Sequence, residues 1–218
     1  MKTIETLVSD IFALFDSNVE MVDLGVSHDA DRGGANELYM SNLGKPLRQL
    51  YYDLTSAPNK EKRSGKTHFK FKYGHILEDL VLTLAERAGH TVVDRQRRVE
   101  VDGVRGKIDA VVDGVLVDAK SCSPRAFEKF VTGTILDEDP FGYITQLSGY
   151  WSVIDTPRAG FLAINKVDGE LFFYELQPEA RQSLSSVQDR ITLVRETVSL
   201  GVEPVRCYEP VAEGKSGN

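Results

Sequence analysis

Apolar residues recur at helical spacing over 3–16, where Ile4, Leu7, Val8, Ile11, Phe12, Leu14 and Phe15 line one side. The stretch 24–36, containing GVSHDADRGGAN, has the Gly and Asp density of a loop. A second helix starts near Pro46, whose missing N–H is harmless in a first turn, and runs through LRQLYYDL. The basic segment SAPNKEKRSGK reads as another loop. From Gly74 the pattern is helical again: Ile76, Leu77, Leu80, Val81, Leu84 and Ala88 form a wide apolar face, and Gly89 ends it. Glu78 flanks that face beside Leu82 and Ala85, so its carboxylate is at least partly buried.

Periodicity then changes from helical to strand-like. Asp102-Gly103 and Asp113-Gly114 each separate runs rich in Val and Ile, and both residue types accept the left-handed backbone of a type I′ turn. The pattern predicts a three-stranded meander over 92–101, 104–112 and 115–120. Helices follow around 124–133 and 140–154, then a hairpin from GFLAIN to ELFFYEL turning near Val167-Asp168-Gly169. A last helix spans about 178–199, with Leu184, Val187, Ile191, Val194 and Val198 on one face and Gly201 beyond its end. This order predicts a single α/β domain over 1–211 with a central mixed sheet flanked by helices. An amino-terminal helical extension covers about 1–73, and 212–218 form a disordered tail.

The second Asp-Gly turn sets a register. A two-residue hairpin pairs Val112 with Val115, Val111 with Leu116, Ala110 with Val117, and Asp109 with Asp118. Like charges directly opposite each other destabilise a sheet, and these two sit among apolar residues on both faces. Two carboxylates in such a place want a cation. Alternation puts Lys120 on the same face as Asp118, and the register adds Lys107. Such a charge cluster is expensive to bury unless it forms a site; the bland alternative is a buried salt bridge between Lys120 and one aspartate. Oxygen donors without a histidine or thiolate cluster suit Mg²⁺, with Mn²⁺ able to substitute, better than zinc. Such ions serve phosphodiester hydrolysis.

Composition narrows the classes. No apolar run approaches the length of a membrane span, and acids interrupt the amino-terminal apolar stretch as no signal peptide would, so the cytoplasm is the expected compartment and no membrane partner is expected. Two cysteines, Cys122 and Cys207, cannot ligate an iron–sulfur cluster or build a disulfide framework. A net charge of −7 argues against coating nucleic acid by charge alone. The charge is uneven, however. Residues 60–72 hold Lys60, Lys62, Arg63, Lys66, Lys70 and Lys72 against Glu61 alone, with Phe69, Phe71 and Tyr73 interleaved. That stripe is either a solvated loop or a track for a nucleic-acid strand.

Taken in order, Gly74-x-x-x-Glu78, Gly106-x-x-Asp109, Asp118-Ala119-Lys120 and Gln146-x-x-x-Tyr150 resemble the motifs of the PD-(D/E)xK nucleases. The likeness is to the RecB-like and phage exonuclease branches, lambda exonuclease among them, and it covers about 74–150. It implies a restriction-endonuclease-like core. It further implies that Glu78, Asp109, Asp118 and the Ala119 carbonyl ligate Mg²⁺, and that Lys120 acts on the nucleophile. Gln146 and Tyr150, one helical turn apart, would lie beside the active site, although helix packing alone would also account for Tyr150. His75, next to the motif, has either a supporting role or a capping one. The segment SNLGKPLRQLYY resembles the amino-terminal motif of the same relatives, making Lys45 and Arg48 candidate DNA contacts beside Lys66, Lys70 and Lys72. The resemblance implies a metal-dependent DNA exonuclease of phage type in recombination, repair or degradation. It also raises a single-strand-annealing or recombination partner and an oligomer as expectations. An endonuclease on the same core, or a non-catalytic nucleic-acid-binding protein on a degraded nuclease fold, are the competing readings.

Overall fold

A computed structural model describes residues 2–16, 36–55 and 65–206, apart from the side chains at 14–16 and 65–70. The expected loop at 24–35, most of the basic segment, the side chains of Phe69, Lys66 and Lys70, and the tail lie outside the described residues. A 3₁₀ turn leads into α1 (Leu7–Asp16). α2 (Leu47–Thr55) begins just after Pro46, as its sequence requires. α3 runs Gly65–Arg87 and so starts nine residues before the expected Gly74. Gly74 lies inside it, where a Cβ would stand 2.8 Å from Ser121 Oγ, so the helix packs closely enough against the sheet that a side chain there would have to displace that hydroxyl.

Both Asp-Gly pairs adopt positive φ at both residues, as type I′ turns demand: 47° and 71° at 102–103, 50° and 81° at 113–114. The meander, however, is split. β1 (Val92–Val93), β4 (Ala110–Val112), β5 (Val115–Cys122), β6 (Arg158–Asn165) and β7 (Leu171–Glu175) form, among the described residues, one sheet in the order β1-β4-β5-β6-β7. β2 (Arg98–Val101) and β3 (Val104–Lys107) pair separately. The expected strand 104–112 therefore breaks at Ile108-Asp109. There Ile108 N–H donates to the Arg97 carbonyl (3.1 Å) and the Asp109 carbonyl accepts from Gln96 N–H (3.1 Å), so this segment pairs with an irregular turn instead of β5. Lys107 consequently lies opposite Arg98 in the small sheet and not in the predicted row with Asp109.

The β4–β5 register is the predicted one, Ala110↔Val117 to Val112↔Val115. β5 and β6 run parallel, which makes the sheet mixed. Helix α4 (Pro124–Val131) and then α5 (Tyr143–Trp151) link them; α6 (Leu184–Leu200) follows the β6–β7 hairpin, capped by Ser183 and by left-handed Gly201. Two apolar layers cover the sheet. Ala110, Val112, Val115, Val117 and Ala119 pack with α1 and α3, while Val111, Leu116, Phe161 and Ala163 pack with residues of α2, α4, α5 and α6. The fold is thus mixed α/β, with helices on both faces of a central mixed sheet. No helix among the described residues is long and apolar enough to cross a membrane.

Candidate active site

Alternation along β5 decides where its chemistry points. Leu116 faces the layer containing α5, so Asp118 and Lys120 face it too, while Ser121 turns toward α3. Asp118 is 2% exposed, and its Oδ2 lies 2.5 Å from Lys120 Nζ. Its Oδ1 accepts from Gln146 Nε2 at 3.2 Å, and the same amide donates to Tyr150 Oη at 3.4 Å. Both α5 residues are buried, one turn apart on the helical face that meets β5. The Lys120 ammonium also lies 4.9 Å from the centroid of the Tyr143 ring.

Asp109 enters from the broken strand. The β4–β5 ladder stops one pair short of it, and Oδ2 instead accepts from Ala119 N–H at 2.8 Å. Gln96 grips the residue twice, by backbone N–H to carbonyl and by Nε2 to Oδ1 at 3.3 Å, from a left-handed backbone (φ 54°). Gly106 makes room next to this bend, since a Cβ there would come within 2.6 Å of Tyr150 Cε1. Glu78 comes from the other layer. Its Oε1 accepts from Ser121 N–H (3.5 Å) and Oγ (3.4 Å), and His75 Nδ1 stands 3.3 Å from Oε2. The closeness of α3 at Gly74, one turn earlier, is what lets this carboxylate reach β5.

Electrostatics ties these groups together. Burial and the neighbouring Asp118 push the Asp109 carboxyl up to about 8, with Lys120 offsetting part of the effect. Burial likewise raises Asp118, against the pull of Lys120. Burial works against the Lys120 ammonium, yet Asp118 and Asp109 raise its affinity for the proton overall. Burial also opposes ionisation of Glu78, but the His75 contact and the Lys120 charge hold it below the ordinary glutamate range. With EDTA present at neutral pH, Asp109→Asn is expected to raise the melting temperature by about 3–6 °C: the carboxyl is ionised in the unfolded chain and must take up a proton on folding, and removing ~1–2 kcal/mol of that cost shifts a domain of this size by about 2–4 °C per kcal/mol. The amide oxygen still accepts from Ala119. Calorimetry that found an equal fall would mean the Asp109 charge is already compensated.

Among the described residues, no three carboxylate, imidazole or thiolate groups stand together as a ready ligand set. Glu78 reaches β5 from the α3 side, at Ser121, whereas Asp118 faces the layer of α5. The donor chemistry nevertheless suits a hard divalent cation: the carboxylates of Glu78, Asp109 and Asp118 share the field of one ammonium, Lys120, which pairs directly with Asp118 Oδ2.

Not every candidate residue joins this cluster. Lys45 is held by Asp53 at 3.2 Å. Arg48 donates to the Pro204 carbonyl at 2.5 Å and pairs with Glu203, tying α2 to the chain after α6. Lys72 is exposed on α3. Conversely, Tyr143 and Gln96 touch the cluster and were not anticipated. Tyr143 precedes Gln146 by three positions, a same-face spacing that could have marked it; Gln96 left no sequence signal, since an irregular turn delivers it.

No protein-family model matches the chain, and no curated protein does. Solved structures are similar to it at low identity. A phage-related exonuclease from Haemophilus somnus 129PT is 14% identical, with 77% of this chain and 95% of that chain covered and a TM-score of 0.49. An alkaline exonuclease (LHK-Exo) from Laribacter hongkongensis is 11% identical, with coverage of 76% and 91% and a TM-score of 0.45.

Proposed function

We propose that the chain is a metal-dependent nuclease that hydrolyses DNA phosphodiester bonds from an end. The observation that carries this reading is the buried Asp118–Lys120 pair, with Asp109 on the adjoining Ala119 N–H and Gln146 bridging Asp118 to Tyr150. A buried ion pair kept only for stability is often no better than an apolar one, and it does not call for two further carboxylates at its side. Glu78, Asp109 and Asp118, with the Ala119 carbonyl, would hold Mg²⁺ or Mn²⁺. Such an ion, when bound, supplies Lewis acidity toward the phosphate and a more acidic water.

The residues themselves account for the rest. Lys120 carries a fixed positive charge in a desolvated position, where it can hold a nucleophilic water and offset charge developing on the phosphate. Gln146 keeps the Asp118 carboxylate in one orientation, and Tyr150 fixes that amide. Asp109, gripped by Ala119 and Gln96, cannot swing away as charge builds. The preference for ends follows the resemblance of the motif set to the phage exonuclease branch.

Digestion of end-labelled linear DNA beside a covalently closed circle, in Mg²⁺, Mn²⁺ or EDTA, tests this. Loss of the linear substrate alone, only with metal, is expected. Cutting of the circle would make the protein an endonuclease, and metal-independent binding without cutting would make it a non-catalytic DNA-binding protein.

A further inference from the structure

Phe141 is 54% exposed, although every residue of the helix that starts two positions later, Tyr143 apart, is buried. Its ring lies 5.4 Å from that of Tyr143 and within 26° of parallel. Tyr143 in turn stacks on Phe130, at 6.4 Å and 21°, and Phe130 is 1% exposed in the core. Ring contacts thus run from buried Phe130 through Tyr143 to Phe141, a column rooted in the core and open to solvent at Phe141. The middle ring is the one that carries the Lys120 ammonium at 4.9 Å. The column is held by its backbone. Pro140 precedes Phe141, and Gly142 follows it in a left-handed conformation pressed against Gly44.

From this arrangement we propose that Phe141 is a stacking platform for the nucleobase of the nucleotide next to the scissile phosphate, so that this base is bound unpaired. The inference rests on the nuclease reading and adds how the strand is positioned. Flat neutral rings suit the open end of the column, because every base has a π-face and stacking on an aromatic side chain is sequence-tolerant. Phosphate does not suit it: Asp137, Glu138 and Asp139 immediately precede. Of these, Glu138 is answered by Lys129 at 3.0 Å, and Asp139 Oδ2 accepts from Ile144 N–H at 2.8 Å. The acidic flank turns the sugar–phosphate chain toward Lys120 and leaves the base for the ring.

The test is an equilibrium one. Fluorescence anisotropy in EDTA measures the affinity of the full chain for single-stranded oligonucleotides of one sequence, carrying one abasic residue moved stepwise from the end. Phe141→Ala is expected to weaken binding of the intact oligonucleotide by about 5–150-fold, matching the ~1–3 kcal/mol of one base on an aromatic ring. Phe141→Trp is expected to restore it. With the abasic residue at one particular position, wild type and Phe141→Ala should bind alike. Equal affinities of wild type and Phe141→Ala for the intact strand would overturn the proposal, as would a defect that persists wherever the abasic residue lies. Parallel cleavage assays in Mg²⁺ separate the two readings. An abasic-sensitive Phe141 effect without cleavage would leave the stacking site and remove the nuclease, whereas cleavage unaffected by Phe141→Ala would do the reverse.

Discussion

Lys120→Gln is expected to lower metal-dependent DNA cleavage by about 10²–10³-fold, the usual effect of removing one preorganised donor from a desolvated transition state. The variant must be separated from simple unfolding, because it leaves Asp118, 2% exposed, without its cation. Removing one partner of a buried pair costs about 3–5 kcal/mol. A second variant with both charges gone, Asp118→Asn with Lys120→Met, removes that penalty. If the pair were only structural, the double variant would be both stable and active. The site described above predicts instead a stable protein with no measurable cleavage, and the same temperature scan and gel assay read both properties. Recovery of cleavage in the double variant would sink the catalytic assignment of Lys120.

Much of this site is legible in the sequence, for a definite reason. Asp-Gly pairs dictate a backbone, a two-residue turn dictates a register that brings Asp109 toward Asp118, although the ladder stops one pair short of them, and alternation along one strand puts Lys120 beside Asp118. The short helical spacings did the same for Gln146 with Tyr150. What the pattern misjudged was continuity. Nothing in Val104–Val112 announces that the strand changes sheets at Ile108, because the break arises from contacts distant in sequence: the left-handed turn at Asp94 and Gln96, and the packing of Gly106 on Tyr150. Extending the hairpin register through that break therefore puts Lys107 in the wrong row. The start of α3 was missed for a related reason, since Gly74 looks like a helix boundary until the neighbouring strand that needs its missing side chain is known. Expected contacts at Lys45 and Arg48 turn out to be engaged by Asp53 and by the Glu203–Pro204 segment, partners that no local pattern predicts.

Gly142→Ala is expected to destabilise the protein by about 3–5 kcal/mol and to lower its melting temperature by roughly 10 °C. Two costs add. At φ 74° an L side chain is strained, and a Cβ at 142 would lie 2.2 Å from the Gly44 Cα and 2.3 Å from its carbonyl carbon. A flexible side chain could swing away, but here the obstacle is backbone on both sides, since a Cβ at Gly44 would likewise meet the Gly142 Cα at 2.4 Å. Relief requires the segment before α2 to part from the start of α5. That movement reaches the proposed active site, because α5 carries Tyr143, Gln146 and Tyr150 on one helix against Asp118 and Lys120. Gly44→Ala should therefore reproduce both the loss of stability and a loss of cleavage, although Gly44 touches none of the site's charged groups. Calorimetry of the two variants, with cleavage measured well below their melting temperatures, tests this coupling. A destabilised protein with undiminished activity would show that α5 keeps its place without the glycine contact, and that the amino-terminal segment braces the fold but not the site.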